Sequence, residues 1–204
     1  MRRGFKLSET PLEMLVLLSD SGTWGDDAPP GDGDPVLRST NIDDFRMSLA
    51  DPAWRRIPPN DVERKRLATG DIIVTKSSGS PDHIGKCAMF IDPDDGERYY
   101  FSNFMLRLRA NPDRIHPAWL FHWLSSPRGR FELGRLNNTT SGLRNLSVPR
   151  YLQQLVPVPP LDVQAEVVAR LNSVAELEGL HMRAAQRSRD LRDALVRRTL
   201  QGVW

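Results

Sequence analysis

Residues 137–147 combine planar amides, hydroxyl groups and a cation, which are side chains that proteins use to contact nucleic acids. Arginine and asparagine can hydrogen-bond to base edges, while hydroxyl groups hold phosphates. The flanking residues add arginines at positions 128, 130, 135 and 150 and a single acid, Glu132. This composition favours DNA contact, with an ordinary polar turn as the alternative. The candidate contact residues of this segment are Asn138, Thr139, Thr140, Arg144 and Asn145.

Lys76, Ser77 and Ser78 form a second candidate contact, since they follow a β-branched run and precede Gly79. Small side chains and glycine let a backbone come close to a phosphate, and Lys76 adds a positive charge. A flexible hairpin loop explains these residues equally well. The glycine spacing does not match that of a nucleotide-binding P-loop.

Two other segments give weaker candidates. Arg38 and Asn41 lie on a short predicted strand and carry groups that could read bases. Arg107 and Arg109 share one face of a later predicted strand. We interpret that face as the solvated side of an edge strand, with a DNA groove as the alternative.

The sequence lacks the motifs of several enzyme classes. It has no glycine-rich cofactor loop between a strand and a helix, no Asn-Pro-Pro-Tyr motif of a methyltransferase and no Gly-x-Ser-x-Gly motif. Pro81-Asp82 with Glu97-Arg98 is similar to a metal-dependent nuclease motif, but the essential lysine is missing. We therefore predict a non-catalytic protein without a cofactor, and keep a nuclease as an alternative.

The composition is that of an ordinary globular chain of 204 residues, 39% hydrophobic and 26% charged. The net charge is only +2, so a surface for nucleic acid must be locally positive. The single cysteine, Cys87, excludes an intrachain disulfide, and His83 beside it does not complete a metal site. No apolar run approaches the roughly 20 residues of a membrane span. We expect a cytoplasmic protein with no membrane partner.

A sheet and short helices would position these residues. Strand patterns cover residues 36–42, 72–75, 85–91, 98–109 and 155–158. Helical spacing covers 117–136, with Pro117 at the first position and a break near Pro127. These patterns predict an α/β (α+β) domain over residues 1–158, with a twisted mixed or antiparallel sheet.

Residues 161–200 contain no proline and one glycine, and their apolar residues recur at steps of three and four. They predict a helix of about 40 residues, about 60 Å long, with Asp162 as its N-cap. A domain of this size cannot cover so long an apolar stripe, which therefore needs a partner helix. Glu178, His181 and Ser188 interrupt the heptads, so we do not expect a regular leucine zipper. The predicted contact residues are Val167, Leu171, Val174, Leu177, Leu191 and Leu195.

Five segments, taken in order, carry a family resemblance. They are residues 36–42 (Val-Leu-Arg-Ser-Thr-Asn-Ile), 70–80 with Ile84-Gly85-Lys86 after them, 102–105 (Ser-Asn-Phe-Met), 139–147 (Thr-Thr-Ser-Gly-Leu-Arg-Asn-Leu-Ser) and 156–164 (Val-Pro-Val-Pro-Pro-Leu-Asp-Val-Gln). Their order and spacing resemble a specificity subunit of type I restriction–modification systems. The resemblance covers nearly the whole chain, as one target-recognition domain followed by one conserved helical region.

The resemblance implies a non-catalytic, sequence-specific DNA-recognition subunit that acts in phage defence. Its implied partners are double-stranded DNA with a bipartite target, a modification methyltransferase and an ATP-dependent restriction subunit in some complexes. The usual member has two recognition domains and two long helices, whereas this chain has one of each, over 1–158 and 161–204. We therefore expect a half-length form that homodimerises through its helix. A protein-binding adaptor with a coiled-coil tail is the other alternative.

Overall fold

The computed structural model describes residues 8–80, 83–136 and 145–200. The chain divides into two compact units, one up to Gln164 and the other from Ala165 onward. In chain order, the strands are β1 (Ser8–Pro11), β2 (Val16–Ser21), β3 (Asp26–Asp27), β4 (Asp34–Leu37), β5 (Ile42–Asp43), β6 (Arg46–Met47), β7 (Ala53–Arg56), β8 (Ile72–Thr75), β9 (Cys87–Met89), β10 (Tyr100–Phe101), β11 (Met105–Ala110) and β12 (Leu155–Val158). The helices are α1 (Pro117–Ser125), α2 (Pro127–Leu136), α3 (Val148–Leu152) and α4 (Leu161–Leu200).

Within these described ranges the strands form two four-stranded and two two-stranded sheets. The first four-stranded sheet has the order β2-β11-β8-β9, and all of its neighbours are antiparallel. The second has the order β10-β4-β7-β3, with β10 parallel to β4. The small sheets pair β1 with β12 and β5 with β6. The predicted fold class of mixed and antiparallel sheets, short helices and a long final helix is confirmed.

Strand β8 is buried on both faces and joins the two larger cores. Ile72 and Val74 pack in a cluster that includes Leu120 of α1. Ile73 packs on the opposite face, in a cluster that includes Phe101. A continuous β-branched run is typical of a strand that is covered on both sides. This burial explains why residues 72–75 gave a clear strand pattern in the sequence.

The basic face of β11 is buried at Arg107 and partly buried at Arg109, and β11 is not an edge strand, so the interpretation of this face as the solvated side of an edge strand is wrong. β11 lies between β2 and β8 and is hydrogen-bonded along both edges. The Arg107 side chain is 1% exposed, and its Nε and Nη2 atoms each donate to Asp20 at 2.9 Å. Arg109 donates to both carboxylate oxygens of the buried Asp71 at 2.7 Å. A carboxylate opposite each guanidinium makes these interior charges tolerable.

Asp20 carries a second cation partner, because Lys65 Nζ donates to it at 2.8 Å. Burial acts to raise the pKa of this carboxyl group. Hydrogen bonds from Arg107 and Lys65 outweigh burial, and the pKa of Asp20 lies below its ordinary value of 3.8. The carboxylate is therefore charged at neutral pH, as its role between two cations requires.

The predicted helical stretch 117–136 consists of two helices, α1 and α2, separated at Ser126. The break expected near Pro127 is thus confirmed. Pro117 begins α1, where a missing N–H costs no helical hydrogen bond. His116 caps the helix, because its Nδ1 atom accepts a hydrogen bond from the Ala118 N–H at 3.1 Å.

The long helix predicted over residues 161–200 is confirmed as α4. It begins at Leu161, two residues before the start that an Asp162 N-cap implies, so Asp162 lies in its first turn. Gln164 holds this turn, since its Nε2 atom donates to the Pro159 carbonyl at 2.7 Å. Among the described helices, none is long and apolar enough to cross a membrane.

Candidate nucleic-acid interface

A groove of about 650 Å³ in the first unit brings together side chains from five separate chain segments. Four residues that the sequence analysis selected for DNA contact line it: Arg38, Ser77, Ser78 and Asn145. The other lining residues are Trp24, Ser39, Thr40, Gly79, Ser102 and Phe104. The groove thus combines a guanidinium, a carboxamide and several hydroxyl groups with two aromatic rings.

Backbone hydrogen bonds fix the floor of the groove. The N–H groups of Lys76 and Ser77 both donate to the Phe104 carbonyl at 3.0 Å. The Leu146 N–H donates to the Lys76 carbonyl at 2.7 Å, and Ser77 forms an antiparallel bridge with Asn145. Three segments that are distant in sequence are therefore held in one frame, and backbone hydrogen bonds tie residues 76–77 into it.

Arg38 stands at the groove with part of its guanidinium engaged. Its Nη2 atom donates to the Asp51 carbonyl at 2.7 Å and to Asp51 Oδ2 at 3.3 Å. The side chain is 36% exposed. An arginine has five N–H donors, and no described residue accepts a hydrogen bond from Nη1. Asp51 therefore orients the guanidinium and leaves donors for a ligand.

Asn41 has a structural role instead of a place in the groove. It is 3% exposed, and its Nδ2 atom donates to the carbonyls of Ser48 and Ala50 at 3.2 and 2.8 Å. Its Oδ1 atom accepts from the Arg38 N–H at 2.9 Å. A buried amide whose two N–H donors are both used cannot pair with a base edge. Asn41 is best described as the residue that shapes the turn carrying Arg38.

The Lys76 ammonium is directed to the end of β2. Its Nζ atom donates to Ser21 Oγ at 2.7 Å, and the side chain is half-buried. Lys65 Nζ donates to the Ser21 carbonyl at 2.7 Å. Lys76 therefore contributes its backbone to the frame of the groove, while its charge lies with Lys65 beside β2.

Four of the predicted contact residues, Asn138, Thr139, Thr140 and Arg144, lie outside the described residues. So do Pro81 and Asp82, the first half of the nuclease-like pattern. Asn145 is described and exposed, and no described residue hydrogen-bonds to its carboxamide. Among the described residues, its donor and acceptor groups are thus left for a ligand.

Trp24 and Phe104 were not identified as functional from the sequence. Trp24 is 38% exposed, with the Arg55 guanidinium 4.0 Å from its ring centroid. Phe104 is 59% exposed. A tryptophan in a glycine-flanked loop, between Gly22 and Gly25, is the signal that could have drawn attention to the first of them.

Comparison with known proteins gives two curated relatives with significant similarity. The EcoKI type I restriction enzyme specificity subunit of Escherichia coli K12 is 26% identical over 144 residues, which is 71% of this chain and 31% of the relative. The StySPI specificity subunit of Salmonella potsdam is 24% identical over 166 residues, 81% of this chain and 35% of the relative. The chain resembles type I specificity subunits. The resemblance inferred from the five segments is confirmed.

The fold agrees with that of a solved specificity subunit. The HsdS subunit from Thermoanaerobacter tengcongensis superposes with a TM-score of 0.60 at 20% identity, covering 83% of this chain and 42% of that one. No protein-family model matches the chain. The chain spans about a third of the length of the curated type I specificity subunits that it matches.

The residues predicted for helix pairing lie on α4. Val167 is half-buried. The other predicted residues are 39–66% exposed: Leu171, Val174, Leu177, Leu191 and Leu195. Further apolar side chains of α4, such as Leu180 and Leu200, are also exposed. α4 therefore exposes more apolar surface than is usual for a helix surrounded by solvent.

Proposed function

We propose that this chain is a DNA-recognition subunit of a type I restriction–modification system and is not itself an enzyme. In this proposal, residues 1–158 form the target-recognition domain and residues 161–204 form a helical dimerisation and spacer region. The observation that carries the proposal is the groove that joins Arg38, Ser77, Ser78 and Asn145, in a chain similar to known specificity subunits.

The chemistry of the groove suits double-stranded DNA. A guanidinium and a carboxamide are planar groups that pair with base edges in the major groove, and they account for much of direct base recognition. The Ser77 and Ser78 hydroxyls lie beside Gly79. Because glycine has no side chain, the backbone at this point can come close to a phosphate. Because backbone hydrogen bonds already hold these segments together, binding of a ligand should cost less conformational entropy.

The proposed partners follow from the similarity to type I specificity subunits. We infer that the chain directs a modification methyltransferase to a bipartite DNA target, and that an ATP-dependent restriction subunit can join the complex. A cytoplasmic location and a role in phage defence belong to the same proposal. The nuclease and adaptor alternatives gain no support from the similarity, because both curated relatives are specificity subunits.

We further propose that two copies pair through α4. Its exposed leucines and valines need an apolar partner, and a second copy of α4 offers the same surface. A dimer would supply two target-recognition domains related by a twofold axis. The two halves of the DNA target would then be inverted repeats separated by a spacer.

The test of DNA recognition begins with duplexes selected from a randomised pool by the purified full chain. Binding of a selected duplex is then measured by fluorescence anisotropy at two salt concentrations, because phosphate contacts make affinity fall with salt. We expect Arg38→Ala to weaken binding by about 1–3 kcal/mol if Arg38 reads a base.

Arg98→Ala is the matched control. Arg98 is a partly exposed arginine paired with Asp34 at 3.0 Å, much as Arg38 is paired with Asp51, but it lies outside the groove. Its substitution is expected to leave affinity nearly unchanged. Failure to enrich any sequence, or equal losses in the two variants, would contradict the proposed function of the groove.

A further inference from the structure

Phe104 is the most exposed aromatic residue of the groove. Its side chain is 59% exposed, and it lines the groove together with Asn145 and Arg38. A phenyl ring carries no conventional hydrogen-bonding group, so it contributes to a binding site by apolar contact or through its π face. A ring beside the polar groups of this groove suits a ligand that carries an apolar group as well as polar edges.

Hydrogen bonds hold the backbone of the turn that carries Phe104. The Phe104 N–H donates to Ser102 Oγ at 3.1 Å, and the Met105 N–H donates to the Ser102 carbonyl at 2.9 Å. Ser102 itself is 2% exposed. The Phe104 carbonyl accepts the two N–H groups of Lys76 and Ser77. Both backbone groups of Phe104 are thus fixed, and its ring is presented from a preorganised position.

Trp24 adds a second aromatic ring to the groove and follows a segment with a well-defined backbone. The Thr23 N–H donates to the Phe101 carbonyl at 2.9 Å, and Thr23 bridges Ser102. A Cβ atom on Gly22 would lie 2.0 Å from the Phe101 carbonyl oxygen, so the two segments are in close backbone contact. The segment before Trp24 is therefore tied to the strand that leads to Phe104.

We propose that Phe104 contacts the C5 methyl group of a thymine, and that the groove reads an A·T base pair. The thymine methyl is the apolar group that base pairs display in the major groove, and phenylalanine is among the residues that contact it. The Asn145 carboxamide, which also lines the groove, complements it, because asparagine pairs bidentately with the N6 and N7 atoms of adenine. A G·C pair offers no methyl group to Phe104. This inference rests on the proposed function of the groove.

The experiment uses duplexes selected from a randomised pool by the full chain. Each thymine of the selected duplex is replaced in turn by deoxyuridine, which removes only the methyl group. At one thymine we expect affinity for the wild-type chain to fall about 3- to 10-fold, the scale of one buried methyl group. The same replacement should change affinity less than 2-fold for Phe104→Ala.

Phe131→Ala is the matched control, because Phe131 is an equally exposed phenylalanine, 65% exposed, on α2 and outside the groove. This variant should keep the full deoxyuridine penalty. Phe104→Leu, which retains an apolar side chain, should keep part of it. The expected pattern is a penalty that depends on Phe104 alone.

Several results would overturn the inference. One is a selected sequence in which no thymine shows a deoxyuridine penalty, and another is a penalty that persists in Phe104→Ala. In both cases the chain still selects DNA, so the proposed function survives. If the wild-type chain selects no sequence at all, the proposed function fails and this inference fails with it.

Discussion

Arg107 is a buried charge that makes four hydrogen bonds to described residues. Besides the paired hydrogen bonds to Asp20, its Nη1 atom donates to the Arg66 carbonyl at 2.9 Å and its Nη2 atom to the Arg64 carbonyl at 2.8 Å. These bonds attach the loop before β8 to the strand β11. A charge in this setting stabilises the fold only while all of its partners are present.

We therefore expect Arg107→Met to lower the free energy of unfolding strongly. Breaking a buried pair costs about 3–5 kcal/mol, and the lower end applies because Asp20 keeps Lys65. Arg170→Met is the control, since the Arg170–Glu166 pair on α4 is well exposed and should cost below about 1 kcal/mol. Urea denaturation followed by circular dichroism measures both. Equal losses in the two variants would contradict the role given to Arg107.

The residue types of the groove could be predicted from the sequence, but their surroundings could not. Ser77 and Asn145 were selected for their chemistry and do line one groove. Asn41 was selected on the same ground, yet its amide is used by the turn at Ser48 and Ala50. Phe104 continued the alternation of apolar residues along the strand, but β11 begins only at Met105. Side-chain type is local information, whereas hydrogen-bond partners and strand ends depend on the folded chain.

At the scale of elements, local patterns predicted the strands and helices whose burial is regular. Strand β8 and helices α1, α2 and α4 have clear periodicity or breaks at proline. Strand β1 had no such signal, because it pairs with β12 at a separation of 150 residues between Ser8 and Val158. Two-residue strands such as β3 and β5 are also too short for a period to show. These strands exist because of partners that a local pattern does not contain.

Gly85 joins β8 to β9 through a conformation that only glycine adopts easily. Its φ is +71°, and a Cβ atom at this position would lie 2.0 Å from the Leu133 side chain of α2. We expect Gly85→Ala to destabilise the protein by more than about 2 kcal/mol, through backbone strain and displacement of the Leu133 side chain together. Thermal unfolding of the purified variant measures the loss.

Gly96→Ala separates the two contributions. Gly96 has a φ of +86°, but a Cβ atom there would have no neighbour within 4 Å. This variant should lose only the backbone strain, about 1–2 kcal/mol. A Gly85→Ala loss no larger than that of Gly96→Ala would show that α2 does not depend on close packing at this point.

At the scale of the whole molecule, α4 is the element that leaves many large apolar side chains exposed in a single chain. Its 40 residues extend about 60 Å, and apolar side chains are exposed at both Leu171 and Leu200. A single solvated helix of this length gains little from leucines at such positions. Association with a second apolar helix would bury them, and a second copy of the chain is the simplest source of one.

The dimer proposal predicts that Leu171→Glu together with Leu191→Glu converts the protein to a monomer. Two carboxylates in an apolar helix seam lose their hydration and lie next to leucines, so association should weaken by several kcal/mol. Asn172→Glu is the control, because it adds a charge to an exposed polar position beside Leu171 and should leave the dimer intact. Light scattering on the full chain gives the mass of each variant. A wild-type chain with the mass of one copy, or a double variant that keeps the mass of two, would refute pairing through α4. If the double variant is a monomer while the wild type and the control are dimers, a prediction for DNA binding follows. The affinity of the double variant for a target of two inverted half-sites should fall to the affinity for a single half-site.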